Sequence, residues 1–386
     1  MGRGTDVTDF KRVYRTAVAD EFPDQLNIGL LKQSSLRYGE NPNQPAAMYS
    51  FAGTDLSELT NVRLVKGGKG GVSATNSMDV TKGMHLVGFF SDPAVAVMKH
   101  ALPSGFARQH AGNALDDIYV KARDADSRSA FGSIVVSNRP IDKATAEAIA
   151  STFVEGVAAP SYEEGAMGIL EKKADLRLME FSNLDRMPRF AGDKDSSYDV
   201  RSLPSGRVLV QANYLCSVKG KEDLITDPLI KRDSLDYVVA RDPNNREMKD
   251  LLTAWWINLG VRSNGIVIVK DGVTIAVGSG QQERVGAVEQ AIVKAYQKAM
   301  AREGIDFDPI DGAVNRKLLK FNPLEEAVLS SDAFFPNIDS IKIAGAQGIS
   351  AIVQPGGSIK DHEIIDAANE YNMAMAFTRE RCFAHF

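Results

Sequence analysis

The sequence is poor in cysteine, with only Cys216 and Cys382 among its 386 residues. Two thiols cannot form the disulfide framework of a small secreted domain, and their scarcity is typical of proteins in a reducing compartment. No stretch has the apolar length of a membrane helix, and the start, MGRGTDVTDF, lacks the apolar core of a signal peptide. These absences predict a cytoplasmic protein.

The sequence also lacks an excess of positive charge, because its formal net charge is -5 at pH 7. Bulk electrostatics therefore give no reason to expect a nucleic acid or an anionic membrane as a partner. Hydrophobic residues make up 44% and charged residues 25% of the chain, which is ordinary for a globular protein of two or three domains. This balance favours an α/β enzyme.

Several catalytic and nucleotide-binding motifs are missing. There is no G-x-x-x-x-G-K-[ST] phosphate loop, and Glu283 replaces the third glycine of a dinucleotide fingerprint at Gly278 and Gly280. The five histidines show no metal-ligand spacing, and neither the zinc-deaminase motifs nor a G-x-S-x-G elbow is present. The sequence therefore predicts no metal site and no dinucleotide site.

A lysine and a histidine follow a short apolar run at 94–98, which predicts a buried strand that ends at Lys99 and His100. Pro103 and Gly105 predict a turn directly after this pair. Ligands of α/β sheets bind beyond the ends of strands, so the pair suits chemistry on an anionic substrate. The alternative is a basic cap on a strand end, with His100 bonded to a carbonyl.

Strands and helices alternate along the chain, which predicts an α/β layer architecture. Both halves follow the same order of elements, and each carries an Ala-Phe loop at a strand end (129–132 and 332–335), so we expect a duplicated unit. The predicted division is a polar lead-in at 1–30, a first unit at 31–206, a linker with a helical insert at 207–261 and a second unit at 262–386.

Three helices carry specific expectations. Ser77 or Asn76 is expected to cap a helix from about 78 to 86. Residues 163–175 are also expected to be helical. In the predicted insert, Trp255 and Trp256 lie on a helical stripe that is typical of core packing.

Nine motifs, in this order, resemble the transformylase part of the AICAR transformylase/IMP cyclohydrolase family. They are LRYGENPNQ (36–44), AVMKHALPSG (96–105), SAFGSIVVSN (129–138), GVAAPSYEE (156–164), RSNGIVIVKDG (262–272), VGSGQQERV (277–285), SDAFFPNIDS (331–340), IVQPGGSIKD (352–361) and AFTRERCFAHF (376–386). Each motif alone is weak, but the ordered set spans nearly the whole chain and is specific.

The chain also departs from the family pattern. The family's cyclohydrolase domain precedes the R-Y-G motif by a long segment, whereas Arg37 stands near the start here, so we expect a stand-alone transformylase without IMP cyclohydrolase activity. The family's K-H-A-N-P-C-G is K-H-A-L-P-S-G in this chain, so Leu102 and Ser104 replace the family's Asn and Cys. The Lys-His pair is intact.

The resemblance implies formyl transfer from 10-formyltetrahydrofolate to the 5-amino group of AICAR ribotide, in de novo purine biosynthesis. It also implies two cytidine-deaminase-like three-layer α-β-α units with a helical insert, no metal requirement, and a homodimer with active sites at the subunit interface. A separate protein would supply the IMP cyclohydrolase.

The same resemblance implies three sets of site residues. The implied catalytic residues are Lys99, His100 and Asn264. The implied substrate-binding residues are Arg37, Tyr38, Asn76, Phe131, Gly132, Glu155, Phe334, Arg381, Phe383 and His385. The implied folate-binding residues are Arg284, Val285, Pro336, Asp339 and Ser358.

This assignment agrees with the chemistry of the side chains. The substrate amine is conjugated to its ring and is a poor nucleophile, and histidine is the side chain that accepts a proton most readily at neutral pH. The ammonium of Lys99 favours the neutral imidazole, and Asn264 can donate to an oxyanion. We therefore expect Lys99, His100, Asn264 and Arg381 to share one cleft.

Two other functions stay open at this point. One is a ribotide-binding regulator without catalytic activity, and the other is a transformylase that uses a formyl donor other than folate.

Overall fold

The computed structural model describes residues 4–16, 18, 21–53, 61–68, 70–307 and 316–385. Its strands are β1 (Thr5–Asp6), β2 (Leu30–Leu36), β3 (Ala46–Phe51), β4 (Val62–Lys66), β5 (Ala94–Lys99), β6 (Leu102–Arg108), β7 (Ile134–Ser137), β8 (Gly156–Ala159), β9 (Arg177–Phe181), β10 (Tyr198–Leu203), β11 (Arg207–Ala212), β12 (Pro228–Arg232), β13 (Leu235–Val238), β14 (Ile266–Lys270), β15 (Val273–Gly278), β16 (Val328–Ser331), β17 (Ala351–Gln354) and β18 (Ala374–Phe377).

Its α-helices are α1 (Ala74–Gly88), α2 (Leu115–Asp124), α3 (Ser127–Ala130), α4 (Lys143–Ala150), α5 (Ala166–Leu170), α6 (Asn245–Asn258), α7 (Arg284–Arg302), α8 (Asp339–Ala346) and α9 (Asp361–Glu370). Short 3₁₀ segments lie at Phe10–Arg15, Leu184–Arg186, Lys221–Asp223 and Arg316–Leu318.

One 11-stranded sheet organises the molecule, in the order β18-β17-β16-β14-β15-β6-β5-β7-β8-β9-β4. In each half an antiparallel hairpin, β5–β6 or β14–β15, is followed by three parallel strands. The two halves meet where β6 pairs with β15. The sheet order confirms the predicted α/β fold and its duplication, while the likeness to cytidine deaminase stays a prediction.

Helices cover both faces of the sheet and give three layers. Alternate residues of β5 show the division: Ala96 and Met98 belong to the core beneath α1 and α6, whereas Val95 and Val97 belong to a core on the opposite face. Burial on both faces explains why the strands are continuous apolar runs. Trp255 and Trp256 are buried in the core, as expected.

Helix α1 begins earlier than the sequence indicated. Ser73 is its N-cap, and the side chain of Asn76 reciprocates to the backbone of Ser73 in a capping box. The predicted cap at Ser77 or Asn76 is therefore wrong, because the helix already runs from Ala74. The helix expected at 163–175 is likewise shorter, since α5 spans only Ala166–Leu170.

The predicted turn at Pro103 and Gly105 is also wrong, because both residues lie inside β6. Gly105 instead allows β6 to pack closely against α2, because a Cβ atom there would lie 1.9 Å from the carbonyl oxygen of Ala122 in α2. The two Ala-Phe loops are not equivalent either, because 129–132 precedes β7 whereas 332–335 follows β16.

The segment predicted as linker and insert, 207–261, contains β11, the hairpin β12–β13 and α6. Helix α6 packs on β14 and β16 as α1 packs on β5 and β7, so it holds the matching place in the second half. The predicted domain boundaries stay predictions. In the part of the chain that the structure describes, no helix is both long and apolar enough to cross a membrane.

Candidate active site

His100 stands at the tip of the β5–β6 hairpin. Lys99 and Leu102 pair across the hairpin, and His100 and Ala101 form a two-residue turn with φ of +54° and +61°. Such turns require positive φ at both positions and favour Asn-Gly, so Ala101 at the second position is strained. The strand ends at Lys99, as expected, and His100 is exposed.

A buried carboxylate holds this turn in place. Asp79, on α1, is 4% exposed and accepts a hydrogen bond of 2.6 Å from the backbone N–H of Ala101. Burial raises the pKa of Asp79, while the Ala101 N–H and the nearby His100 and Lys99 act in the opposite direction. Sequence reasoning missed Asp79, although an acid on the buried face of a predicted helix is a usable signal.

Lys99 is half-buried and points to the loop before β7. Its Nζ donates to the carbonyl oxygens of Phe131 at 3.2 Å and Gly132 at 2.6 Å. Gly132 has a φ of +68°, and a Cβ atom there would lie 3.1 Å from the Lys99 Nζ. The positive φ favours glycine at this position, and the ring of Phe131 is 67% exposed.

Asn76 and Glu155 complete a first cluster around Lys99 and His100. The Nδ2 of Asn76 donates to the Oε2 of Glu155 at 2.9 Å, and Glu155 directly precedes β8. A Cβ atom at Gly132 would lie 3.7 Å from the other Glu155 oxygen, so the carboxylate faces the same space as Lys99.

Arg37 and Tyr38 lie beside the start of α1. The Arg37 guanidinium donates to the Tyr38 hydroxyl and lies 4.4 Å from the centre of its ring. The backbone N–H of Ala74 donates to the carbonyl of Tyr38 at 3.1 Å, which ties this loop to the helix start. This bond places the backbone of Tyr38 at the start of α1.

A second cluster forms around Arg284, at the start of α7. Arg284 is 8% exposed, and its guanidinium donates to Asn264 Oδ1 at 2.7 Å and to the buried carboxylate of Asp332. The Nδ2 of Asn264 donates to the carbonyls of Gln281 at 2.9 Å and Gln282 at 3.0 Å. Asn264 thus uses all of its side-chain groups to orient neighbouring elements in this arrangement.

Asp332 is fully buried and was not among the predicted site residues. Its Oδ2 accepts from the Ser263 hydroxyl and from the Gly265 N–H, the latter at 2.8 Å. Its backbone carbonyl accepts from Cys382 N–H at 3.0 Å. Through its carboxylate Asp332 links the start of β14 to the helix α7, and through its backbone carbonyl it holds the C-terminal tail.

The tail brings three predicted residues together. The Arg381 guanidinium lies 4.5 Å from the ring centre of Phe383, and the ring of His385 lies edge-on to Phe383 at 5.5 Å. Arg201 of β10 donates to the carbonyl of His385. A cavity of about 200 Å³ opens beside Phe383, between α1, α6 and the hairpin β10–β11.

Tyr14, in the segment expected as a polar lead-in at 1–30, also belongs to this second cluster. Its hydroxyl donates to the carbonyl of Gly356 at 3.1 Å, and its ring packs against Phe334 at 5.3 Å and under Arg381 at 5.6 Å. Burial raises the pKa of Tyr14 to about 12, against the opposing charge of Arg381. The aromatic residues Phe10 and Tyr14, four positions apart in FKRVY, were the sequence signal that this segment packs against the rest of the chain.

The predicted folate residues lie around the same corner of the molecule. Val285 is in the first turn of α7, and Asp339 opens α8 just after the exposed Pro336. The backbone N–H of Ser358 donates to Asp361 at 3.1 Å. Lys360 Nζ donates to Asn337 at 2.7 Å, which joins the two loops.

Both clusters lie at one edge of the 11-stranded sheet. β6 starts beside His100 and runs antiparallel to β15, and β14 begins opposite the end of β15, which places Asn264 at this edge. Among the described residues, neither Lys99 nor His100 forms a hydrogen bond or ion pair with Asn264 or Arg381. Strands β6 and β15 lie between β5 and β14, so the two clusters are separate in the described part of the chain, and the shared cleft stays a prediction.

No cluster of three or more His, Cys, Asp or Glu side chains that would suit a metal ion occurs among the described residues.

Comparisons with known proteins identify the family. The family model for the AICARFT/IMPCHase bienzyme matches residues 8–294. The chain is 36% identical over 367 residues to the bifunctional purine biosynthesis protein PurH of Acetivibrio thermocellus, covering 95% of this chain and 62% of that protein. It is 37% identical over 366 residues to the protein of the same name from Caldicellulosiruptor saccharolyticus, covering 94% and 61%.

A third relative, PurH of Persephonella marina, is 36% identical over 373 residues, with 95% of this chain and 62% of that protein covered. The chain thus spans about three fifths of the length of the curated relatives it matches. With most of its length matched by the family model, this chain belongs to the AICARFT/IMPCHase bienzyme family.

Proposed function

We propose that this chain acts in purine biosynthesis and transfers a formyl group from 10-formyltetrahydrofolate to the 5-amino group of AICAR ribotide. The products are FAICAR and tetrahydrofolate, and the enzyme class is phosphoribosylaminoimidazolecarboxamide formyltransferase. The observation that carries the proposal is the hairpin tip that presents His100 beside Lys99, Asn76 and Glu155. Membership of the family and the PurH relatives support it.

His100 is the proposed general base. The substrate nitrogen attacks the formyl carbon, a C–N bond forms, and the nitrogen must lose a proton as it becomes an amide. An exposed imidazole at a hairpin tip can reach that proton without displacing other groups. Lys99, held by two backbone carbonyls, balances negative charge and supplies a proton as the bond to the folate nitrogen breaks.

Asn76 and Glu155 are proposed to bind the carboxamide and amine of the ribotide, and Arg37 with Tyr38 its phosphate. The position of the Arg37–Tyr38 pair beside the start of α1 supports the phosphate assignment. Asn264 is proposed to donate to the oxyanion of the tetrahedral intermediate. That role requires its amide to exchange the carbonyls of Gln281 and Gln282 for the substrate.

The active form is proposed to be a homodimer, in which the second cluster of one subunit completes the first cluster of its partner. The separation of the clusters within one chain supports this arrangement. Exposed apolar side chains on β2 and on the hairpin β10–β11 offer surface for such contact; they include Leu30, Leu31, Val208 and Leu209. The proposed reaction takes place in the cytoplasm, with no nucleic acid or membrane involved.

The test is to measure tetrahydrofolate release by the purified chain with AICAR ribotide and 10-formyltetrahydrofolate. His100→Ala should lower kcat by about 100-fold or more, because general-base catalysis contributes that much. Ribotide affinity should stay within about twofold, since Arg37 and Tyr38 are untouched. His110→Ala, which removes an exposed histidine outside both clusters, is the matched control and should behave as wild type.

Wild-type turnover by His100→Ala would eliminate His100 as the base. Tight ribotide binding without turnover on any formyl donor would instead favour a regulator that has lost catalysis. Turnover that continues without folate, with formyl phosphate as donor, would favour a folate-independent transformylase.

A further inference from the structure

The duplication gives each half of the sheet the same device, in which a helix carboxylate holds the turn of a hairpin. In the second half, Asp250 of α6 accepts the backbone N–H groups of Asp271 and Gly272, both at 2.8 Å, at the tip of β14–β15. In the first half, Asp79 of α1 accepts the N–H of Ala101 at 2.6 Å, at the tip of β5–β6.

Sequence spacing shows that the two devices are equivalent. Asp79 and Ala101 are separated by 22 positions, and so are Asp250 and Gly272. Both carboxylates are almost fully buried, at 4% and 2% exposure, and burial raises the pKa of each. Both helices also open with a capping box, at Ser73 and at Asn244.

The two turns differ in the residues at their two central positions. Asp271–Gly272 is a sequence that adopts positive φ readily, so its turn is favoured without help. His100–Ala101 adopts the same conformation, which the side chain of Ala101 disfavours. The first turn therefore depends more on its carboxylate, and it is the turn that presents the proposed base.

We propose that Asp79 is a positioning residue for His100: by holding the Ala101 N–H, it keeps the hairpin tip in the one conformation that aims the imidazole at the substrate. This inference rests on the proposed function, since it assigns Asp79 a role in that reaction. Asp250 holds the equivalent turn of the second half, and that turn carries no proposed catalytic residue. Asp250 is therefore a matched internal control.

The test compares Asp79→Ala, Asp79→Asn and Asp250→Ala in the full chain. Deuterium exchange at each hairpin tip and the melting temperature report on the turn, while kcat and KM for the ribotide report on catalysis. Both Ala variants should speed exchange at their own tip and lower the melting temperature. Only Asp79→Ala should lower kcat, by about tenfold to 100-fold, with KM changed less than twofold, because misplacing a catalytic group costs rate rather than affinity.

Asp79→Asn keeps an oxygen acceptor and should restore most of kcat at the pH optimum. The charged groups that face Asp79 are His100, Lys99, Glu155 and Lys82. Removing the negative charge beside His100 should move the acidic limb of the kcat–pH profile to lower pH. This shift can be measured in Asp79→Asn even if Asp79→Ala does not fold. An acidic limb at the same pH as in wild type would count against the proposal.

Unchanged kcat in Asp79→Ala, or an equal loss of kcat in Asp250→Ala, would overturn the positioning role. If the wild-type chain shows no turnover, the proposed reaction itself fails. Exchange at the His100 tip still decides in that case whether Asp79 holds the turn, so the two failures are distinguishable.

Discussion

Buried carboxylates that accept backbone N–H groups shape the loops of both clusters. Asp79 holds the His100 turn, Asp332 holds the start of β14 at Gly265, and Asp361 holds the loop at Gly357. A carboxylate can accept several such bonds, which partly compensate for the loss of solvent. Each of these acids therefore sets the position of a glycine-containing or strained segment.

Asp361 gives a pH-dependent prediction. Burial raises its pKa to about 7, against the N–H groups of Gly357 and Ser358, while the unfolded chain keeps the ordinary value of 3.8. Between about pH 4 and pH 7 the folded protein thus binds more protons than the unfolded chain. The contribution of Asp361 to the free energy of unfolding is highest below this window and is lost as the pH rises through it.

Asp361→Asn removes the charge and keeps an acceptor oxygen. At pH 8 the variant should be more stable than wild type by roughly 1–2 kcal/mol, and the difference should shrink as the pH approaches 4. Urea unfolding of both proteins across this range measures it. A difference that does not vary with pH would contradict the assignment.

At the scale of elements, two glycines allow a helix to approach a strand closely. A Cβ atom at Gly105 in β6 would lie 1.9 Å from the carbonyl oxygen of Ala122 in α2. A Cβ atom at Gly278 in β15 would lie 2.2 Å from the carbonyl of Ala287 in α7. From sequence, Gly105 suggested a turn, and Gly278 was considered only within a dinucleotide fingerprint that the sequence does not complete. Spacing along the chain carries no information on a neighbouring helix.

Gly105→Ala should therefore destabilise the protein by about 2 kcal/mol or more, because the strand or the helix backbone must move. The control is Gly168→Ala on the exposed side of α5, where an added Cβ atom meets nothing within 4 Å. That variant should match wild type or gain up to about 1 kcal/mol from its helix propensity. Denaturant unfolding compares them, and equal stability of the two variants would show that the close contact relaxes without cost.

At the scale of the whole molecule, a short seam joins the two halves. Val273 pairs with Ala107, and the side chain of Thr274 continues the contact by bonding to both backbone groups of Phe106. The Phe106 N–H donates to Thr274 Oγ1 at 2.9 Å, and the hydroxyl donates to the Phe106 carbonyl at 3.2 Å. Both residues are buried, so water cannot replace these bonds.

Thr274→Val keeps the shape of the side chain but removes both bonds. It should destabilise the protein by about 1–3 kcal/mol, because buried backbone groups of Phe106 lose their partner. Thr274→Ser keeps the hydroxyl and should lose less than half of that. Urea unfolding measures the loss, and faster deuterium exchange at β6 and β15 should accompany it. If the Val variant proves as stable as wild type, the hydroxyl does not hold the seam.

The duplication of the fold could be predicted in general terms from the sequence. Alternating strands and helices predicted two like units, yet the loops chosen to match them, 129–132 and 332–335, are not equivalent. The true match is the pair of capped helices, in which Ser73, Asn76 and Asp79 correspond to Asn244, Glu247 and Asp250. These residues differ in type at two of three positions, so similarity of letters did not reveal them.

Local pattern alone determined much of this protein. Apolar runs placed strands such as β5 and β14, the stripe with Trp255 and Trp256 placed α6, and the ordered motifs identified the family. These features depend on residues near one another in the chain, where side-chain spacing reflects the period of a strand or a helix.

Only the tertiary structure decided which distant residues meet. Tyr14 bonds to Gly356 across 342 positions, and the Asp79 carboxylate reaches the tip of a hairpin from another element. The order of strands also placed both clusters at one edge of the sheet, with β6 and β15 between β5 and β14. These contacts depend on how faces pack and how strands are ordered, and neither leaves a periodic trace in the sequence.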